Sequence, residues 1–183
     1  MARHRYSFVI GVVTAGSLLS ACSGEPGPEQ ASAVLPDRVC WGAAAFTGKE
    51  LAPLAGNGQK VRDDSPSTFD LPQDNKKTSC TLYVDGDIRF HAGAWRLGPG
   101  QDFFWDTQQK QHPDTLDVGN KGLVWDDGAV VALTCKRSDA TFELELSLDN
   151  GSLPDAPKDP RPYFTGLMKQ YHEFATKELG CAP

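Results

Sequence analysis

The sequence has little of what marks nucleic-acid-binding or multi-span membrane proteins. It holds 18 basic residues against 24 acidic ones, for a net charge of −6, and the basic residues form no block. Because nucleic-acid binding depends on clustered Lys and Arg, we expect no nucleic-acid partner. Mean hydropathy is −0.40, and a long apolar run occurs only near the start. This pattern excludes a protein that crosses the membrane several times.

Motifs for common catalytic and cofactor sites are also missing. The chain has no G-x-S-x-G nucleophile elbow, no G-x-x-x-x-G-K-[ST] phosphate loop and no G-x-G-x-x-G turn. It has no C-x-x-C pair, and the spacing of His91, His112 and His172 matches no metal motif. We therefore expect no catalytic residue, no metal site and no cofactor.

The first residues have the pattern of an export signal. Arg3 and Arg5 precede residues 6–20, an uncharged stretch of 15 residues. A membrane-spanning helix needs about 20 apolar residues, so this stretch fits the hydrophobic part of a signal peptide better.

Residues 19–22 read Leu-Ser-Ala-Cys, which resembles the lipobox of bacterial lipoproteins. The resemblance implies that Cys22 receives a lipid and becomes the first residue of the mature chain. The alternative is an ordinary secretory signal with a chance cysteine. Since two or more acyl chains anchor a protein stably, we expect a lipid anchor in the cell membrane and a domain on its outer face.

Three segments follow from this pattern. Residues 1–21 are predicted to be the signal peptide. Residues 22–35 contain the lipidated cysteine and a tether dominated by Pro, Gly, Glu, Gln and Ser, a composition typical of disordered linkers. Residues 36–183 are predicted to form a single extracytoplasmic domain, because they can bury a proper core and show no second break in composition.

Four cysteines remain after Cys22, and an even number in an exported domain indicates two disulfides. Three connectivities are possible. We favour Cys40–Cys80 and Cys135–Cys181, because each would tie a terminal helical segment to a strand. Each bridge would stabilise the fold by roughly 4 kcal/mol in the chain-entropy account.

The remaining pattern predicts an α+β fold. Thr47 and Glu50 have the spacing of a capping box, so a short helix follows Thr47. Residues 163–179 carry apolar side chains at helical spacing, which predicts a long C-terminal helix. Both helices should pack on the apolar face of an antiparallel sheet, whose strands are half-buried. The predicted strands are residues 79–84, 88–90, 123–125, 129–135 and 141–148, with Asp85-Gly86 as a hairpin turn and residues 57–75 as a surface loop.

Acidic residues provide two kinds of candidate site. The aspartates at 85–87 and 126–128 could ligate calcium, but neither cluster matches the EF-hand pattern, and hairpin-turn chemistry is the favoured explanation. Glu143 and Glu145 point outward from the strand at 141–148, where a carboxylate pair could do acid–base work. The alternative is an ordinary solvated sheet face.

Aromatic residues provide the candidate ligand-binding segment. Trp95, Phe103, Phe104 and Trp105 lie in a stretch punctuated by Gly and Pro. Aromatic side chains on loops stack on sugars or hold apolar ligands, so a pocket would lie between the sheet and residues 95–105. The alternative is that they plug the core beneath a long loop. Trp41 and Trp125 are expected in the core.

The residues that carry a family resemblance are spread along most of the mature chain. They are the lipobox at 19–22, Cys40 followed by Thr47, Glu50, Leu51, Leu54 and Gly56, then Cys80 in a strand and the pair Cys135 and Cys181. This layout resembles small extracytoplasmic lipoproteins of actinobacteria and is similar to the external sensor domains of mycobacterial serine/threonine kinases. The resemblance implies a ligand-binding or interaction module without catalytic residues.

The sequence therefore favours a non-catalytic, membrane-anchored module that binds an envelope ligand or a protein partner. One alternative is a cell-envelope hydrolase that uses Glu143 and Glu145. Another is a structural or assembly lipoprotein.

The lipid anchor leads to a direct test. Cys22→Ala removes the only thiol that the lipobox resemblance assigns to acylation, so the protein should move from the membrane fraction to the soluble fraction. The measurement is fractionation of the producing cells followed by immunoblotting. Continued membrane association of the variant would contradict the anchor.

Overall fold

The computed structural model describes residues 33–42, 45–73, 76–99, 101, 109–136, 138–149 and 159–181. Within them, seven strands form one antiparallel sheet, and two helices accompany it, as the α+β prediction requires. Helix α1 is Gly48–Ala55 and helix α2 is Arg161–Glu178. The strands are β1 Val61–Asp64, β2 Lys77–Val84, β3 Asp87–Arg96, β4 Asp114–Thr115, β5 Lys121–Trp125, β6 Gly128–Cys135 and β7 Ala140–Leu148. No helix among the described residues is long and apolar enough to cross a bilayer.

The strands lie in the order β1-β2-β3-β7-β6-β5-β4, so the last strand in the chain occupies the centre. Tight turns join β2 to β3 and β5 to β6, and β7 then enters between β3 and β6. Asp85 and Gly86 have φ values of 54° and 97°, which is the conformation of the hairpin turn predicted there.

The core lies between the inner face of the sheet and α2. Because side chains alternate along a strand, one set from β7 (Phe142, Leu144 and Leu146) is buried in the main core. The apolar stripe of α2 covers this face, as its spacing predicted. Its buried members are Phe164, Leu167, Met168, Tyr171 and Ala175.

Trp41 is the largest side chain buried in this core. Its ring stacks on Tyr171 of α2 at 5.5 Å and meets Phe69 edge-on at 4.9 Å. Its indole Nε1 donates to Thr78 Oγ1 at 2.9 Å, so the polar end of the ring is satisfied. Cys40 and Trp41 both have positive φ, a backbone conformation costing roughly 1–2 kcal/mol per residue that only extensive packing offsets.

Both favoured disulfides are confirmed. Cys40–Cys80 joins the segment before α1 to β2, with Cα atoms 5.5 Å apart. Cys135–Cys181 joins the end of β6 to the residue just beyond α2, with Cα atoms 4.5 Å apart. Gly180 has φ +65° and ends α2, where Cys181 N donates to Thr176 O at 2.8 Å. This Schellman-type ending points Cys181 back towards the sheet.

Helix α1 begins with the predicted capping box, in which Thr47 Oγ1 accepts from Glu50 N and Glu50 Oε2 accepts from Thr47 N. The same carboxylate accepts from Gln170 Nε2 on α2 at 2.9 Å. The Tyr163 hydroxyl donates to Glu50 O at 2.7 Å. These bonds hold the two helices together.

Two segments are more ordered than their composition indicated. The prediction of a surface loop over residues 57–75 was wrong in part, because β1 pairs with β2 there and Phe69 and Leu71 are buried. Pairing with a neighbouring strand overrides the loop-like composition at β1. At the end of the tether, Ala33 is buried and its N–H donates to Gly56 O at 3.0 Å.

Substituting the two tyrosines of α2 by phenylalanine should change the stability of the fold in opposite directions. The Tyr171 hydroxyl is buried and has no hydrogen-bond partner among the described residues, so Tyr171→Phe should stabilise the fold by up to about 1 kcal/mol. Tyr163→Phe removes a made hydrogen bond and should destabilise by about 1 kcal/mol. Urea unfolding measures both. Destabilisation of both variants by the same amount would contradict this account of Tyr171.

Candidate functional site

A cleft of about 680 Å³ opens at one end of the sheet. Its floor is formed by outer-face residues of β6 and β7, and its walls come from the segment after β3, the start of β5 and the β6–β7 hairpin. The volume lies within the range of small-molecule sites. The described lining residues are Arg96, Leu97, Gly98, Pro99, Gln101, Asn120, Lys121, Ala132, Thr134, Ser138, Asp139, Ala140 and Thr141.

Two amide side chains of the cleft are oriented by backbone N–H groups. Asn120 Oδ1 accepts from Thr134 N at 2.7 Å. Gln101 Oε1 accepts from Gly98 N at 2.8 Å. Since only the carbonyl oxygen of a side-chain amide accepts a hydrogen bond, these bonds assign the amide flips. Each side chain therefore keeps its NH₂ group as the end that can bind something else.

Arg96 stands where the cleft meets the end of β3. Its Nη1 atom donates to the carbonyl oxygens of Leu71 and Pro72 at 3.3 and 3.0 Å. The guanidinium carbon lies 5.8 Å from the ring centre of Phe142. These contacts help to fix the position of the guanidinium group.

The outer face next to the cleft is less solvated than predicted. Glu143 and Glu145 do alternate with core residues, but Glu143 is only 3% exposed and Glu145 is half-buried. Desolvation by burial raises the pKa of Glu145. The expected solvated face is therefore wrong at these positions, because the neighbouring outer-face positions are occupied largely by apolar side chains.

Two of those neighbours are tryptophans that lie over glycines. A Cβ atom at Gly93 would overlap the indole of Trp95, and a Cβ atom at Gly128 would lie 2.7 Å from Cζ2 of Trp125. Gly93 is paired with Glu145 and Trp95 with Glu143. Trp125 is buried as predicted, in a small outer-face cluster with Leu123 and Val130.

Candidate metal ligands do not converge. No group of three or more His, Cys, Asp or Glu residues able to hold a metal occurs in the described part of the chain. Asp85 instead accepts hydrogen bonds from the N–H groups of Gln59 and Lys60, which lower its pKa. Asp126 accepts from Arg161 Nε at 2.7 Å.

The histidines are also separate. His91 lies on β3 with Nδ1 3.1 Å from Thr81 Oγ1, and burial, assisted by the charge of Lys77, lowers its pKa. His172 lies on α2, where burial lowers its pKa. The two residues occupy different elements of the fold, and neither is among the described lining residues of the cleft.

The sequence-predicted site residues are only partly described. Trp95 is half-buried on β3, whereas Cys22, Phe103, Phe104 and Trp105 lie outside the described residues. Trp95 is not among the described lining residues of the cleft, which takes Arg96, Leu97, Gly98, Pro99 and Gln101 from the predicted 95–105 segment. Its polar residues were missed, since isolated Asn, Gln, Thr and Lys residues carry no sequence signal until the sheet assembles them.

Comparison with known proteins does not extend this description. The chain matches no protein-family model, no curated protein and no solved structure.

The raised pKa of Glu145 leads to a pH prediction. The folded protein holds this proton more tightly than the unfolded chain, so its contribution to stability falls as pH rises above the ordinary value of 4.5. Glu145→Gln should therefore be more stable than the wild type at pH 7, and the difference should vanish towards pH 4. Thermal unfolding across this range measures it. Glu178→Gln, at an exposed position, is the control, and an equal gain at both pH values would contradict the assignment.

Proposed function

We propose that this chain is an exported, lipid-anchored binding protein whose extracytoplasmic domain holds a small polar ligand in the cleft and performs no catalysis on it. The observation that carries the proposal is the cleft itself, in which charged, amide and hydroxyl side chains converge within about 680 Å³. A concave site with a few placed polar groups is the usual form of a ligand site.

The construction of the cleft supports binding. Its floor and two of its walls belong to strands or to their immediate ends. The Cys135–Cys181 disulfide begins one residue after Thr134 and precedes the hairpin that supplies Ser138 and Asp139. Polar groups held on such rigid elements lose little freedom when a ligand binds, which favours affinity.

The place where the tether joins the folded domain supports a ligand that reaches the cleft from the side remote from the membrane anchor. Ala33 packs with Val84, next to the β2–β3 turn, whereas Arg96 and Ala140 mark the opposite end of the sheet. The ten residues of β3 separate these ends by roughly 30 Å. With the lipid on Cys22, the tether would reach the domain at the end remote from the cleft.

A hydrolase is the second candidate, because one observation favours it. Glu143 and Glu145 share a strand face, and burial raises the pKa of Glu145. A carboxyl group whose pKa is raised by burial is a better proton donor for general acid catalysis than a fully solvated one. Turnover of peptidoglycan or esters that is lost in Glu145→Gln, with the fold intact, would favour this candidate over simple binding.

Native mass spectrometry tests the binding proposal. The chain, exported by its own host and kept unreduced, should carry an added small-molecule mass, directly or after incubation with a low-mass extract of the host envelope. Ser138→Trp fills the cleft and should abolish the added mass. Thr115→Trp places the same side chain on the exposed edge strand β4 and should retain it.

The melting temperatures of both variants control for folding. An added mass that persists in Ser138→Trp would place the ligand elsewhere. A wild-type chain that remains bare after incubation with the extract would contradict the proposal.

A further inference from the structure

A groove of about 300 Å³ lies where α1 meets α2, and it shares no described lining residue with the cleft. Its proline, tyrosine and leucine make the walls largely apolar, and its one carboxylate comes from α1. Four of its residues recur at helical spacing and therefore share one face of α2. The described lining residues are Glu50, Pro162, Tyr163, Gly166, Leu167 and Gln170.

Gly166 keeps this groove open. A glycine inside a helix is unfavourable relative to alanine, because it loses more backbone freedom on folding. Packing does not require a glycine here, since a Cβ atom at this exposed position would meet nothing within 4 Å. The absent side chain instead leaves room outside the helix, where the backbone of another polypeptide can approach closely.

Glu50 gives the groove a negative charge. Its Oε2 atom accepts all the hydrogen bonds that its carboxylate receives within the described residues, two from Thr47 and one from Gln170 Nε2. Its Oε1 atom accepts none of them, and no described Lys or Arg pairs with the carboxylate. Burial opposes ionisation of Glu50, but these hydrogen bonds outweigh it and lower its pKa, so the group is charged at neutral pH.

A cation on an aliphatic stem matches both properties of the groove. The stem of a lysine or arginine side chain packs on apolar surface, which Tyr163 and Leu167 provide. Its charged head can donate to Glu50 Oε1, and a charge-assisted hydrogen bond is stronger than a neutral one. An anionic ligand would meet like charge at Glu50.

The shape of the groove favours a polypeptide over a free small molecule. Small-molecule sites enclose most of their ligand, whereas Pro162 and Gly166 are exposed and leave this groove open to solvent. A partner protein compensates by making further contacts beyond the groove. The chain's own tether does not supply the cation, because residues 23–32 contain Glu25 and Glu29 and no basic residue.

We propose that the groove between α1 and α2 docks a partner protein, which inserts an arginine or lysine side chain against Glu50. This site is separate from the cleft and does not depend on the proposed function.

The test is a titration of the full exported chain, labelled with ¹⁵N and purified in detergent. The probes are blocked peptides of alanine with arginine, lysine or citrulline at the centre, and agmatine as a free guanidinium on an aliphatic stem. The backbone amide signal of Gly166 and the side-chain NH₂ signals of Gln170 should shift and saturate with the arginine or lysine peptide. Citrulline has the shape of arginine without its charge, so its peptide should bind about tenfold more weakly, or less tightly still.

Three variants make the test specific. Glu50→Gln removes the charge but still permits a capping box, so it should preserve the fold and weaken the basic peptides about tenfold or more. Glu178→Gln makes the same change at an exposed position of α2 outside the groove, and it should bind as the wild type does. Gly166→Leu fills the groove and should abolish the shift of the Gln170 signals, while its melting temperature shows that the fold is kept.

Four results would overturn the proposal. Equal affinity for the arginine and citrulline peptides would show that charge is not recognised. Agmatine that binds as tightly as the arginine peptide would indicate a site for free cations. No shift with any basic peptide would reject the docking site, and unchanged affinity in a folded Glu50→Gln variant would show that the peptides bind elsewhere.

Discussion

The structure depends on covering the inner face of the sheet with α2. This interface buries an aromatic cluster in which Trp41 stacks on Tyr171, and it explains why the chain accepts positive φ at Cys40 and Trp41. Burying several aromatic side chains contributes about 1.5–3 kcal/mol for each of them, enough to offset backbone strain of roughly 1–2 kcal/mol at each of the two residues. The Cys40–Cys80 bridge fixes Trp41 from one side, and Cys135–Cys181 fixes the end of α2 from the other.

Both described helices contribute buried side chains to the core on the inner face, and the two faces of the sheet have different roles. The inner face supplies stability. The outer face and its end carry polar residues whose positions follow from strand pairing: Lys121 is paired with Ala132, which in turn is paired with Glu143. The polar cleft residues that lie on β5, β6 and β7 are therefore held by the same hydrogen-bonded sheet that the core stabilises.

Glu143 shows where local sequence reasoning ends. The alternation of residues 141–148 correctly predicts which side of the strand each residue occupies, because the side-chain period of a strand is two. It does not predict solvation, which depends on what lies beside the strand. Glu143 is paired with Trp95 on one side and Ala132 on the other, and it is buried.

The sequence by itself determined every feature that depends on near neighbours. Residue periodicity specified α2, the capping box of Thr47 and Glu50 specified the start of α1, and Asp85-Gly86 specified a hairpin turn. Only the tertiary structure decided the pairing of β1, the position of β7 between β3 and β6, and the cleft. Asn120 and Thr134 meet through the β5–β6 pairing, whereas Gln101 reaches the same cleft because β3, which precedes it, lies only two strands from β6 in the sheet. No local pattern encodes that second contact.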